Sequence, residues 1–334
     1  MKVLVTGAGG YIGSVATYLL LQNGYEVVAL DNFSTGYQAP LELLQEKFGK
    51  EKIRYYKADI TEEVSEVLEK EKDISAVFHY AALCLVDESM KEPGKYFTNN
   101  IGGTLNLLLA MSKFGIPNLI FSSTCAVYGG AQYVPIDEKH PLNPDSPYGE
   151  SKAIVEKIIH WYGELKGLHY IILRYFNVCG ASDDGLMGDS KKPSVLLVQN
   201  AVRGALGIKP FYFTYQEVDT PDASPIRDYI NVMDLNEAHL KALEYLSSGG
   251  QSETLNLGTG TGNSVLEIVE KVETATKTKI NKNKSTPRQG ESSKLFASIE
   301  KAKKILHWEP KRSIEDSVRS LVDWYKNHPN GWDK

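Results

Sequence analysis

The sequence predicts an α/β protein built on a doubly wound parallel sheet, with a smaller α/β lobe formed by its C-terminal half. Three observations predict it. Short apolar runs of strand character alternate with amphipathic helical stretches through the first half, the pattern of βαβ crossovers. The first run, Lys2-Val3-Leu4-Val5, leads straight into Thr6-Gly7-Ala8-Gly9-Gly10-Tyr11-Ile12-Gly13, where Gly7, Gly10 and Gly13 recur at a spacing suited to a tight strand-to-helix turn. After about Phe176 the alternation loosens and Gly, Pro and Asp become frequent. The expected organisation is a Rossmann-like dinucleotide-binding domain over residues 1–176 and a substrate-binding lobe over 177–334, with part of 228–262 returning to the first domain.

Each element has its own justification. The glycine turn lets the backbone approach a pyrophosphate closely, and the helix from Tyr11 to about Asn23 aims its N-terminal amides at those phosphates. A second strand from Glu26 ends in Asp31. An acidic residue about twenty positions beyond such a turn accepts hydrogen bonds from an adenosine ribose. It repels a 2′-phosphate, which favours NAD over NADP. Further strands are expected at 53–57, 76–79, 118–122 and 170–174, and helices at 62–70, after Pro93 and from near Pro147. Ser146 suits the cap of that last helix and Pro147 its first position. The stretch from Ser313 to Asn327 is amphipathic, and the Lys/Asn-rich segment 277–284 reads as a solvated turn region.

Bulk properties exclude several classes. With 334 residues, a net charge of −5 and no basic stripe, the chain calls for no nucleic-acid partner. No apolar run is long enough to span a bilayer, and the first strand stands where a signal peptide would be. The three cysteines, Cys84, Cys125 and Cys179, lack metal-ligand spacing. They read as free buried thiols in a reducing cytosol, with no metal site and a cytoplasmic setting.

The chemistry is concentrated at residues 148–152. Tyr148 and Lys152 lie four residues apart, hence on one helical face. Tyr162 and Lys166 repeat the spacing, but Tyr148 falls in the first turn, near the strand ends, whereas Tyr162 lies more than three turns away and suits packing. A unit positive charge at roughly 6 Å, in an effective dielectric of about 20, favours a tyrosinate by about 3 kcal/mol. Two such charges, Lys152 and an oxidised nicotinamide, bring a phenol from about 10 toward neutrality, where a general base works best. Thr124, following Phe121-Ser122-Ser123, offers a hydroxyl to share the substrate proton.

These residues carry a resemblance over nearly the whole chain. The glycine turn and the 148–152 motif resemble the extended short-chain dehydrogenase/reductases. More narrowly, the chain is similar to the UDP-glucose 4-epimerase family through 30–36 (LDNFSTG), 99–104 (NNIGGT), 144–149 (PDSPYG), 173–177 (LRYFN), 227–230 (RDYI) and 255–258 (LNLG). The resemblance implies that Tyr11, Ile12, Asp31, Asn32, Phe33, Ser34, Thr35, Gly36, Asp59, Ile60, Tyr80, Ala81, Ala82, Asn99 and Phe176 line NAD, together with Thr124, Tyr148 and Lys152. It implies that Tyr148 takes the sugar 4-hydroxyl proton as hydride leaves C4, and that the 4-keto sugar rotates before hydride returns. Asn177, Leu197, Tyr212, Phe213, Arg227, Arg288 and Glu291 match stretches around the UDP moiety. Leu295 matches the position bordering the sugar 2-substituent. The helices 98–114 and 151–165 would then form the seam of a homodimer, an expectation that their apolar breadth supports.

The chain also departs from the pattern. Cys84 stands where relatives carry Lys or Ser, Asn231 replaces a His, and 194–198 lacks an Asn-Leu pair. Thr214-Tyr215 replaces aromatic-Gly, and the Arg288-to-Glu291 cluster is one arginine short. Dehydratases of the superfamily resemble each other in an Asp-Glu pair after the threonine, and decarboxylases keep the Glu. Cys125-Ala126 supplies neither acid. The readings left are a UDP-glucose 4-epimerase, a 4-epimerase of another UDP-sugar, or a non-catalytic NAD-binding module, which would have lost Tyr148 or Lys152.

Overall fold

The computed structural model describes every residue except Glu63, Lys192, residues 285–291 and Lys334, and only the backbone of Thr214 and Lys284. In chain order the elements begin with β1 (Lys2–Thr6), α1 (Tyr11–Gln22), β2 (Glu26–Asp31), α2 (Ala39–Phe48), β3 (Ile53–Lys57), α3 (Val64–Lys70) and β4 (Ile74–His79). Then come α4 (Val86–Ser89), α5 (Pro93–Tyr96), a π-helical turn (Phe97–Gly102), α6 (Gly103–Phe114), β5 (Asn118–Thr124), α7 (Pro147–Lys166) and β6 (His169–Tyr175). The remainder comprises β7 (Asn177–Cys179), α8 (Leu197–Ala205), β8 (Phe213–Tyr215), β9 (Ile226–Arg227), β10 (Tyr229–Asn231), α9 (Val232–Ser247) and β11 (Glu253–Leu257). It closes with β12 (Asn263–Ser264), α10 (Val265–Thr276), β13 (Lys282–Lys284), β14 (Lys294–Leu295), α11 (Glu300–Leu306) and α12 (Ile314–Asn327).

The chain forms two compact units, neither of them continuous in sequence. The first comprises Met1–Gly129, Pro141–Arg174 and Asn236–Leu255, and the second the intervening and C-terminal segments Gly130–His140, Tyr175–Leu235 and Asn256–Lys334. In the first, a seven-stranded sheet runs in the order β11-β6-β5-β4-β1-β2-β3. β1 pairs in parallel with β2 and β4, β2 with β3, and β4 with β5. This is the doubly wound sheet the sequence predicts. Val3, Leu4, Val5, Val77, Phe78, Leu119, Ile120 and Phe121 are all essentially inaccessible, because helices cover both faces of such a sheet. Leu107, Leu108 and Met111 of α6 join Val155 and Ile159 of α7 on one side of this core. The strand order reverses between β1 and β4, the switch point where ligands bind in such sheets.

The second unit uses short strand pairings. β7 pairs with β10, β12-β9-β14 form a small sheet, and β8 pairs with β13. Its core gathers Val198, Ala201 and Val202 of α8, Ile268 and Val272 of α10, Leu321, Trp324 and Tyr325 of α12, and Phe213.

Three expectations need correction. Segment 282–284 is a strand, parallel to β8; pairing uses backbone groups, so an exposed Lys/Asn sequence leaves it open. The helix after Pro93 is interrupted by the π-helical turn. None of the three cysteines is in a disulfide, as expected, but only Cys179 is buried; Cys84 is exposed and Cys125 half-buried. No helix among the described residues is long and apolar enough to cross a membrane.

Candidate active site

The turn after β1 forms a cradle built from backbone. Gly7 has φ +70°, and a Cβ there would press on Ala81 in the segment after β4; a Cβ at Gly13 would strike the Gly7 carbonyl oxygen. Side chains are therefore excluded from both places. Gly10 caps α1 with no side-chain hydrogen bond, and the first turn of α1 carries no acidic residue. A helix N-terminus left uncapped by side chains suits a dinucleotide pyrophosphate, so the residues present fit the group.

Asp31 ends β2 and has a task that sequence alone does not reveal. Its Oδ2 accepts the Gly9 N–H at 2.9 Å and its Oδ1 the Phe33 N–H at 2.7 Å, which ties β2 to the glycine turn. Burial pushes its carboxyl above the usual range, opposed by these backbone donors. Each carboxylate oxygen has further acceptor capacity, so ribose hydroxyls can still be received. Beside it, Asn32 donates to Asp59 at 2.7 Å, and Asp59 is held by the Thr61 N–H and hydroxyl. Tyr80 donates to Asn236, and Asn99 to Asn100. Protein stripped of dinucleotide is expected to bind NAD at least tenfold more tightly than NADP (about 1.4 kcal/mol), because a 2′-phosphate would face Asp31. Equal affinities in a fluorescence titration would show that Asp31 serves the turn alone.

The catalytic candidates converge at the carboxyl end of β5. Ser146 accepts the Gly149 N–H and Pro147 occupies the first helical position, so Tyr148 falls in the first turn of α7, as the sequence predicts. A Cβ at Gly149 would strike the Ala126 carbonyl, so this turn lies directly against the segment following Thr124. Thr124 accepts the Ala126 N–H at 3.1 Å, a use that leaves its hydroxyl hydrogen to donate. Lys152 donates to the Ser122 carbonyl at 2.9 Å and sits 4.6 Å from the centre of the Phe121 ring. Burial lowers its pKa to about 8, with Cys84 and Glu156 acting in the opposite direction. Behind it, His79 bridges Thr6 at 2.7 Å and Thr104 at 2.9 Å. Thr104 donates to the Asn100 carbonyl, which makes His79 Nε2 the donor. Burial, reinforced by Lys152, drives the His79 pKa down to about 3, so the ring is neutral.

In the second unit, Phe176 is buried, and Asn177 hydrogen-bonds Asp228 through its backbone and side chain. Arg227 on β9 stands opposite Leu295 on β14. Asp228, next to Arg227, is fully buried and accepts N–H groups from Thr259, Gly260 and Ala297, which fixes the strand that carries Arg227. Leu197 opens α8, and Tyr212 is exposed. The Phe213 side chain points into the core of this unit and stacks on Tyr215 at 5.5 Å. Asn231, in place of a His, holds Ser317 and the Met233 N–H. Arg288 and Glu291 lie outside the described residues.

A glycine cradle at the β1/β4 switch point and a Tyr-Lys helix against β5 are the features of an extended short-chain dehydrogenase/reductase. Comparisons with known proteins narrow this class. A family model described as GDP-mannose 4,6 dehydratase matches residues 4–321. UDP-glucose 4-epimerases from Lacticaseibacillus casei and Lactobacillus helveticus are each 40% identical to the chain, the first covering 99% of both sequences and the second 100% of this chain and 99% of its own. The crystal structure of the Bifidobacterium longum UDP-glucose 4-epimerase with NAD+ and UDP superposes with a TM-score of 0.93 at 33% identity, covering 99% of this chain and 100% of its own. The chain belongs to the UDP-glucose 4-epimerase family.

Proposed function

We propose that the chain interconverts UDP-glucose and UDP-galactose as an NAD-dependent 4-epimerase. The observation that carries this reading is the intact Thr124, Tyr148 and Lys152 group at the end of β5, with Cys125-Ala126 where a dehydratase needs its acids. Tyr148 removes the 4-hydroxyl proton, Thr124 donates to the same oxygen, and Lys152 favours the tyrosinate. Bound NAD would supply the hydride acceptor and the source of its return. The 4-keto sugar then turns about its diphosphate tether and receives hydride on the opposite face, with Tyr148 returning the proton.

The remaining roles extend this reading. The glycine turn with Asp31 to Gly36, Asp59, Ile60, Tyr80 to Ala82, Asn99 and Phe176 holds the cofactor; Asn177, Leu197, Tyr212 and Arg227, with Arg288 and Glu291, hold UDP. A guanidinium suits a diphosphate because its fork bonds two oxygens at once. The setting is cytoplasmic, a reading supported by three cysteines that remain thiols rather than disulfides. A homodimer is supported by the exposed apolar faces of α6 and α7, where Leu109 is 56%, Trp161 60% and Leu165 71% exposed; sedimentation of the purified protein would measure it.

The purified protein is expected to carry NAD and to convert UDP-galactose to UDP-glucose. Leu295, half-buried beside Arg227, favours this pair over the N-acetylated one. Relief of such a contact is worth roughly 1–3 kcal/mol, so UDP-N-acetylgalactosamine should turn over at least about fivefold more slowly. Absence of both turnover and NAD would refute the function, whereas equal rates on the two pairs would remove Leu295 as the gate.

A further inference from the structure

The face of α7 that carries Tyr148 and Lys152 has a third member. Glu156 follows at the same four-residue interval and is 5% exposed. Its Oε1 accepts the Ser123 hydroxyl at 2.5 Å, and its carboxylate receives Arg174 through Nε at 3.0 Å and Nη2 at 2.5 Å. Arg174, itself 6% exposed, also donates to the Tyr128 hydroxyl at 3.0 Å. Three consecutive residues of β5 are thus engaged: the Ser122 carbonyl by Lys152 and the Ser123 hydroxyl by Glu156, both from α7, and the Thr124 hydroxyl by the Ala126 N–H in the turn that meets Gly149.

We propose that Glu156 is a positioning residue for the Tyr148–Lys152 pair and the counter-charge to Arg174, so that the field at Tyr148 is governed by Lys152. This inference rests on the epimerase reading for its catalytic meaning. A carboxylate fully engaged with a guanidinium fork is a strong fixed contact, and in a buried setting removing one partner leaves the other charge uncompensated. Other titratable groups on the elements packed against α7 include Cys84 and His79 from β4 and its following segment, Asp87 and Glu88 of α4, Lys95 and Tyr96 of α5, and Cys125 and Tyr128 after β5, while His239 hydrogen-bonds Ser122 from α9. His79 is neutral. Glu156 is the carboxylate whose charge opposes the lowering of the Lys152 pKa.

The test separates charge from shape. Glu156→Gln keeps the size and an acceptor but leaves Arg174 unbalanced. The acid limb of the kcat/KM profile should move to lower pH by about half to one unit, since added positive charge favours the tyrosinate. Glu156→Gln/Arg174→Met removes both charges and should return the limb to within a few tenths of a unit of wild type. Difference absorbance titration of each protein against its Tyr148→Phe counterpart reads the same displacement without turnover. A limb and a titration unmoved in Glu156→Gln, or a double variant displaced further than the single, would overturn the proposal. Wild type without epimerase turnover would refute the proposed reaction, while the absorbance titration would still decide the role of Glu156.

Discussion

Tyr148→Phe is expected to fold and bind NAD as wild type does, yet to lose at least about a hundredfold in turnover, the lower range for removing a general acid–base group. The expectation follows from how the residue is held. The backbone of Tyr148 is fixed independently of its phenol: Ser146 caps the helix and the Ser151 hydroxyl donates to the Tyr148 carbonyl at 2.7 Å. Truncating the hydroxyl therefore leaves the first turn of α7 in place. The loss should appear in kcat, with cofactor content and thermal midpoint unchanged. Near-normal turnover would remove Tyr148 from the mechanism.

Lys152→Met should have two effects of opposite sign. Turnover falls by about a hundredfold or more, because the phenol loses its positive neighbour. Stability rises at neutral pH. The folded-state pKa of Lys152 is lowered to about 8 from 10.5, so the fold disfavours its charged form. Below about pH 8 the lysine is charged in both states and the cost of burying it is fully present. Between 8 and 10.5 the unfolded chain binds a proton that the folded chain does not, and wild type gains stability as pH rises. The variant should therefore exceed wild type by about 1–3 kcal/mol at pH 7, less whatever the bond to Ser122 contributes, with the difference closing by pH 10. Urea unfolding at the two pH values measures this. A variant less stable at pH 7 would mean that the Ser122 bond and the Phe121 ring outweigh the charge burial.

Local signals made much of the site legible. The glycine spacing, the Asp at the end of β2 and the Ser-Pro start of α7 each act within a few residues, so the sequence displays them directly. Features that depend on distant partners were not legible. Glu156 meets Ser123 and Arg174 across 33 and 18 positions, and nothing local distinguishes it from a solvated helix glutamate. Asp31 looked like a ribose ligand alone because its bond to Gly9 spans 22 residues. Phe213 and Tyr212 adjoin in sequence, but one faces the core and the other solvent, and a three-residue strand is too short for alternation to tell which.

The discontinuity of the first unit bears on its synthesis. Its sheet receives β11 only at residues 253–257, and Ser122 receives His239 only from α9. A ribosome that has just released β6 therefore holds a nascent sheet whose flank at β6 is unpaired and whose Ser122 hydroxyl lacks its imidazole partner. An unpaired strand flank is a template for association with other chains. Chains stalled or cleaved between 175 and 253 should accumulate as aggregates, and the interval in which those residues are translated is where chaperone protection would matter most.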